Sequence, residues 1–182
     1  IGAVPTTRKI NGKDLSSDVT LDGKDIRPIE KLTLYCNSVS GSDNNDGLTT
    51  STAFKTFSKA VEVAKSVISN EVRINLAIGA YTAANLQGIF ANKITITGDY
   101  SNKENVTING NWDLDYLSCK SLEFSAFKII GKLNGVNRAP VEARFYNIIL
   151  NGDITLSETS LVVFWNCIID STIYPYPIDL RN

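Results

Sequence analysis

Apolar and polar residues alternate over short stretches for most of this chain, and only once does the pattern lengthen. The alternating stretches are 72–78, 93–97, 105–108, 121–124, 127–130, 143–146, 148–150, 154–156, 161–165 and 167–169. A period of two predicts strands with one face buried. Gly79, Gly98, Gly110, Gly131 and Gly152 punctuate these stretches, as turn positions do. The exception comes earlier. Phe54, Phe57, Val61, Ala64 and Ile68 recur at steps of 3, 4, 3 and 4 residues. That spacing predicts one apolar face of a helix, with Lys55, Lys59, Glu62 and Lys65 on the opposite side. Ser51 or Thr52 is placed to cap its start, and Ser69-Asn70 marks its end.

The strands repeat as a group. FSAFKIIG from Phe124, FYNIILNG from Phe145 and FWNCIIDS from Phe164 align, spaced 21 and then 19 residues apart. Asn147 and Asn166 fall at one position, where the first copy has Ala126. A period near twenty residues with several short strands in each is the pattern of a solenoid. It predicts that Phe124, Phe145 and Phe164 stack inward, with the Asn residues at an inward corner bonding turn backbone and each other. An antiparallel sandwich is the competing reading, but two-residue hairpin signals are few after the helix. The strand-turn-helix at 34–64 then reads as a lid over the end of the stack. The segment 40–50 within it is turn chemistry, with Asp46-Gly47 its strongest dipeptide.

The first 31 residues differ. They are polar, with a hairpin signal at Asn11-Gly12. Ile10, Leu15, Val19 and Leu21 are too few to build a core in one chain. Such a segment needs a partner surface, and another copy of itself is the readiest supplier. The chain therefore divides into 1–31, a shaft segment, and 32–182, a β domain with cap strand and helix at 32–70 and coils at 71–182.

Composition narrows the chemistry. The 182 residues carry a formal net charge of −1, which gives no electrostatic reason to expect nucleic acid or an anionic membrane. No apolar run reaches the roughly 18 residues a membrane span needs. His is absent, which removes the commonest general base and the Ser-His and Cys-His nucleophile pairs. Cys36, Cys119 and Cys167 have no metal-ligand spacing and read as reduced, mostly buried thiols. No metal or cofactor is expected. The chain opens at Ile1 and has no Met, which predicts a fragment or a processed product.

Two resemblances rest on quoted residues. YCNSVSGSDNNDGLTTSTAFKTFSKAVEVA, followed by VRINLAIGAYT, resembles the N-terminal cap and first coil of right-handed parallel β-helix proteins of the pectin-lyase-like type. The matching positions are Tyr35, Gly41, Ser42, Asp43, Asp46, Gly47, Ala53, Phe54 and Thr56. The resemblance implies a mainly β, right-handed parallel β-helix with one N-terminal capping α-helix, preceded by a short extended fibre-repeat segment. Separately, Val4 to Leu21, then Asp25 and Ile26, resemble the short repeats of bacteriophage tail fibres and tailspikes, V-P-T-T-R-x-[IV]-N-G-K-x-L-S-x-[DN]-[IV]-[ST]-L and then D-I. Arg27-Pro28 departs from the pattern, where repeats continue Gly-Ala. This second resemblance implies a homotrimer on the virion tail, assembled in the host bacterial cytoplasm. Its partners would be other phage tail proteins and host cell-surface polysaccharide. It also implies that receptor-facing coils lie beyond Asn182.

Tailspikes of this architecture bind surface polysaccharide or cleave it. The structural reading is the first expectation here. A polysaccharide depolymerase, hydrolase or lyase, is the alternative. Hydrolysis uses two carboxyls flanking the bond, about 5–10 Å apart. Asp99, Glu104, Asp113, Asp115, Glu123, Glu142 and Asp153 are the acids available, none in a distinctive motif, so no catalytic residue is assigned. Trp112, Asp113, Asp115 and Tyr116 form the densest cluster of aromatics and acids and are the candidate carbohydrate-binding residues. The alternative for them is a loop packed on the solenoid or on a neighbouring protomer. Tyr174 and Tyr176, in YPYP, read similarly. Asp43 to Asp46 lack calcium-loop spacing, because Gly47 comes one residue early, and read as side chains bonding turn backbone.

Overall fold

A computed structural model describes residues 28–117, 119–135, 140–156, 159 and 161–170, and as backbone alone 9–10, 13–14, 173–175 and 178–181. Most of the fibre-repeat reading of residues 1–31, and Tyr176, lie outside the described residues. Strands β1 (Lys9–Ile10) and β2 (Lys13–Asp14) pair antiparallel across Asn11-Gly12, as that dipeptide predicts. Among the described residues every other strand pair is parallel.

The chain continues through β3 (Ile29–Cys36), helix α1 (Phe57–Lys65), β4 (Ile68–Leu76), β5 (Gly79–Thr82) and β6 (Phe90–Thr97). It then runs through β7 (Val106–Asn109), β8 (Trp112–Asp113), β9 (Ser121–Ser125), β10 (Lys128–Ile130), β11 (Leu133–Gly135), β12 (Glu142–Tyr146), β13 (Ile149–Asn151) and β14 (Ile154–Leu156). Last come β15 (Leu161–Trp165), β16 (Ile168–Asp170), β17 (Ile173–Pro175) and β18 (Ile178–Arg181). Successive strands pass from one sheet to the next and back. The first sheet has the order β3-β4-β6-β9-β12-β15-β18, the second β5-β7-β10-β13-β16 and the third β8-β11-β14-β17. The described residues are thus mainly β with parallel sheets, an arrangement consistent with a β-helix-like solenoid.

Burial follows the alternation. In the first sheet Leu34, Ile74, Ile96, Phe124, Phe145 and Phe164 are all buried. Phe124, Phe145 and Phe164 are register partners, as their spacing predicts. Phe124 and Phe145 meet edge-on at 5.5 Å, and Phe145 and Phe164 stack at 4.8 Å. Ile108, Ile129 and Leu150 form the corresponding column in the second sheet, and Trp112, Leu133 and Ile154 in the third. The strands at 79–82, 112–113 and 133–135 were not foreseen. They are short, and each contains or adjoins a glycine or asparagine that breaks the alternation.

Two kinds of corner separate the sheets. Gly110, Gly131 and Gly152 sit at successive corners with φ of 117°, 143° and 148°. A Cβ on Gly131 would lie 2.2 Å from the Gly110 carbonyl oxygen, so backbone from one repeat occupies the space a side chain would need in the next. Ala126, Asn147 and Asn166 are left-handed, with φ of 63°, 54° and 53°. Asn166 Nδ2 donates to Asn147 Oδ1 at 3.1 Å. The expected Asn ladder exists, but it faces out: Asn166 is exposed and Asn147 half-buried. Asn is placed there because it tolerates the left-handed turn, rather than to fill an inward corner.

The helix differs from expectation at both ends. It spans nine residues, and its N-cap is Thr56 rather than Ser51 or Thr52. Phe54 is buried ahead of the helix, held by backbone bonds to Tyr35 of β3 and to Asn37 just after it. Ile68 belongs to β4 and is 54% exposed. The buried face is Phe57, Ala60, Val61 and Ala64. Phe57 lies 5.6 Å from Trp112 between ring centres, so the helix packs toward the aromatic interior.

Truncating Phe145 to Ala removes a ring held between two others and should cost about 3–5 kcal/mol. Gly131→Ala should cost about 1–3 kcal/mol from backbone conformation, with the clash added. Urea unfolding followed by circular dichroism checks both. An unchanged midpoint for either would contradict the stacking described.

Candidate functional site

The structure divides the sequence-predicted cluster. Trp112 is 1% exposed, and its ring lies 4.9 Å from Phe124 and 5.6 Å from Phe57. It is part of the core and gives no platform for a sugar. Its indole nitrogen is buried and has no partner. The physical reason is strand parity: Trp112 pairs with Leu133 on the inward side of the third sheet, and Asp113 points out. Asp113, Asp115 and Tyr116 remain together on the following turn. Asp113 accepts the Asp115 amide at 3.0 Å and Gln87 Nε2 at 3.4 Å. Gln87 Nε2 also donates to the Asp115 carbonyl at 2.8 Å. Tyr116 is exposed and left-handed, with φ of 56°.

Most of the other acids are engaged locally. Glu123 pairs with Lys93 at 2.9 Å, Glu142 with Arg144 at 2.8 Å and Asp153 with Lys132 at 3.1 Å. Glu104 is exposed on the turn 103–105. Asp99 organises the loop 98–105. Its Oδ1 accepts the Ser101 amide and hydroxyl, and its Oδ2 accepts Asn105 Nδ2. Those bonds, led by the Ser101 hydroxyl, hold the Asp99 carboxyl at about 2. Lys103 Nζ reaches from this loop to the Asn166 carbonyl at 3.2 Å, spanning the corner column.

The turn at 41–56 behaves as its composition predicts. Asp43 accepts the Lys55 and Thr56 amides at 3.0 and 2.9 Å and the Thr56 hydroxyl at 3.0 Å. Thr56 Oγ1 in turn accepts the Lys59 amide, which closes the N-cap. Asp46 accepts the Leu48 amide and the Thr52 hydroxyl. A cavity of about 300 Å³ opens beside this cap, against β5. The Tyr81 hydroxyl on its wall is committed to the Ala77 carbonyl at 2.8 Å. Among the described residues no group of Cys, Asp and Glu is placed to hold a metal ion. Burial pushes the Cys36 and Cys119 thiols up to about 12, which leaves both protonated and unreactive at neutral pH.

Sequence reasoning missed the outer face of the first sheet. Glu142, Arg144 and Tyr146 on β12 align with Leu161, Val163 and Trp165 on β15. Tyr146 and Trp165 are register partners, and Trp165 is 48% exposed. Burial of the Arg144 guanidinium is outweighed by a Tyr146 hydrogen bond and the Glu142 charge, which hold it more basic than usual. The signal was present in the alternation of EARFY and LVVFW, whose outward positions carry these rings. Two aromatic edges beside an arginine can stack on flat apolar faces of a ligand or of another protein.

Comparison with protein-family models, with curated proteins and with solved structures returns no match. Among the described residues no helix is long and apolar enough to cross a membrane.

The depressed Asp99 carboxyl has a signed consequence. Its contribution to holding the loop is present above the unfolded carboxyl value near 3.8 and is lost as pH falls through about 2. NMR titration of the Ser101 and Asn105 signals should therefore show a step in that window, which Asp99→Asn abolishes. A midpoint near 4 in the wild type would contradict the bonding pattern. Asp43→Ala, which leaves the Lys55 and Thr56 amides without their acceptor, should cost about 1–3 kcal/mol in thermal or urea unfolding.

Proposed function

We propose that this chain is a structural part of a bacteriophage tail fibre or tailspike, acting in host cell-surface recognition and attachment as a homotrimer. In this reading residues 1–31 form an intertwined shaft and residues 32–182 a right-handed parallel β-helix, with α1 sealing its first coil. The observation that carries the reading is the fibre-repeat pattern at Val4 to Leu21, Asp25 and Ile26, set directly before the lid-like segment. The parallel sheets and the packing of Phe57 toward Trp112 support the body of the proposal. The junction falls at Arg27-Pro28, where the repeat pattern stops and β3 begins one residue later.

The acids support a structural rather than a catalytic part. Asp99, Glu123, Glu142 and Asp153 each have a side-chain partner that explains their presence. Attachment would then use the outward surfaces of the sheets and turns, where Tyr116, Tyr146 and Trp165 lie. The partners on this reading are two further copies of the chain, other tail proteins and host surface polysaccharide.

Light scattering on the full chain is the test. It should give three times the 19.9 kDa chain mass. A mass of one chain at micromolar concentration would overturn the proposal.

A further inference from the structure

The first sheet is not of even width. β3, β4 and β6 run for eight, nine and eight residues, whereas β9, β12 and β15 run for five each. Register places the surplus at the start of the longer strands. Lys93 aligns with Ser121, the first residue of β9, and the Lys120 amide still bonds the Asn92 carbonyl, so Phe90 and Ala91 project beyond it. Ile68 and Ser69 project beside them, paired with Phe90 and Ala91. At roughly 3.3 Å per residue, two positions make a ledge about 7 Å deep. Ile68 and Phe90 on this ledge are 54% and 57% exposed, and Pro28 beside them is exposed too. Pro28, Ile68 and Phe90 line a shallow hollow of about 190 Å³.

The ledge is a built edge. Asn70 Nδ2 donates to Glu30 Oε2 at 2.9 Å, and Asn92 Nδ2 donates to Asn70 Oδ1 at 3.4 Å. This polar ladder ties the three projecting strands together just inside the apolar row. Neighbouring exposed apolar side chains on an ordered edge mark a contact surface.

We propose that a second copy of this chain covers the ledge, so that the Pro28, Ile68 and Phe90 rows of neighbouring protomers meet where the shaft joins the body. The inference rests on the homotrimer reading above and assigns it a contact. Two observations name the occupant. The chain enters at the hollow itself, because Pro28 lines it and 27 residues precede Pro28. Those residues carry few large apolar side chains, Ile10, Leu15, Val19 and Leu21 among them, too few to build a core within one chain. Copies joined through that segment are delivered to one another at the ledge. The second observation is size. Three side chains bury on the order of a few hundred Å², well below the roughly 1,200–2,000 Å² of a stable interface. A surface this small suits a contact added to an association begun elsewhere and does not suit recruitment of a separate partner.

The test is a dilution series by sedimentation equilibrium on the full chain, with Ile68→Asp/Phe90→Asp beside the wild type. The double variant should dissociate at a concentration at least about tenfold higher than the wild type, with an unchanged circular dichroism spectrum. Ile68→Val/Phe90→Leu, which keeps the surface apolar, should retain the association. Tyr100→Asp, on the loop 98–105, should also leave it unchanged. If the double variant misfolds, Phe90→Ser alone carries the same test. Wild type and Asp variant associating equally would overturn the ledge contact and leave the trimer standing. A monomeric wild type would overturn the trimer reading, and this inference with it.

Discussion

Inward side chains of one repeat must meet those of the next, and the rest of this structure depends on that contact. A single turn of chain here contributes between two and nine residues to each sheet and cannot bury its own apolar face. Burial is achieved by stacking, so the size and position of each inward group are fixed by its neighbours along the stack. Phe145 shows the constraint most clearly. It is fully buried, held edge-on by Phe124 and stacked by Phe164. Trp112 joins the same cluster from the third sheet and links it to Phe57 of α1. The aromatic interior therefore ties the helix, the third sheet and the first sheet into one body.

Stacking at strand spacing also dictates the corners. Where backbone of one repeat lies directly over backbone of the next, no side chain fits, and Gly131 and Gly152 follow, while Gly110 is set by its positive φ. Where the chain turns left-handed but faces outward, Asn serves, and Asn147 and Asn166 add a hydrogen bond between repeats. The loop 98–105 takes the place of this tight corner in an earlier repeat. It is held by Asp99 and anchored through Lys103 to the Asn166 carbonyl. Outward positions are free of these demands, and there the chain places ion pairs, Tyr146 and Trp165.

Much of this was legible in the residues. Strict alternation located the longer strands, and the spacing of Phe124, Phe145 and Phe164 located the repeat, because both are direct consequences of burial. Shorter elements escaped. A two-residue strand such as Trp112–Asp113 has no periodicity to detect, and its place is set by pairing with β11. For the same reason Trp112 read as part of an exposed cluster: adjacent residues on a strand face opposite ways, and local composition does not say which way is in. The helix was overextended because Phe54 and Ile68 continue its period by coincidence. Pairing with the β3 edge claims the first and β4 the second. The ledge at Ile68 and Phe90 was invisible for a related reason, since it arises from the unequal lengths of strands far apart in sequence.

The functional proposal rests on the repeat pattern at Val4 to Leu21, and the division between a constrained interior and a permissive exterior says which surfaces such a role would use. The interior explains how the sheets and α1 pack together and accounts for Trp112 there. Surfaces left over, at the ledge and on the outer face of the first sheet, are where partners would meet it. The most direct measurement of the stacking itself is native-state amide hydrogen exchange across the strands at 121–125, 128–130, 142–146 and 149–151. If each repeat is held by its neighbours, amides in the first and second sheets of one repeat should exchange through a shared opening, with closely similar protection. Protection that differed from sheet to sheet, with no relation between strands of the same repeat, would contradict the account.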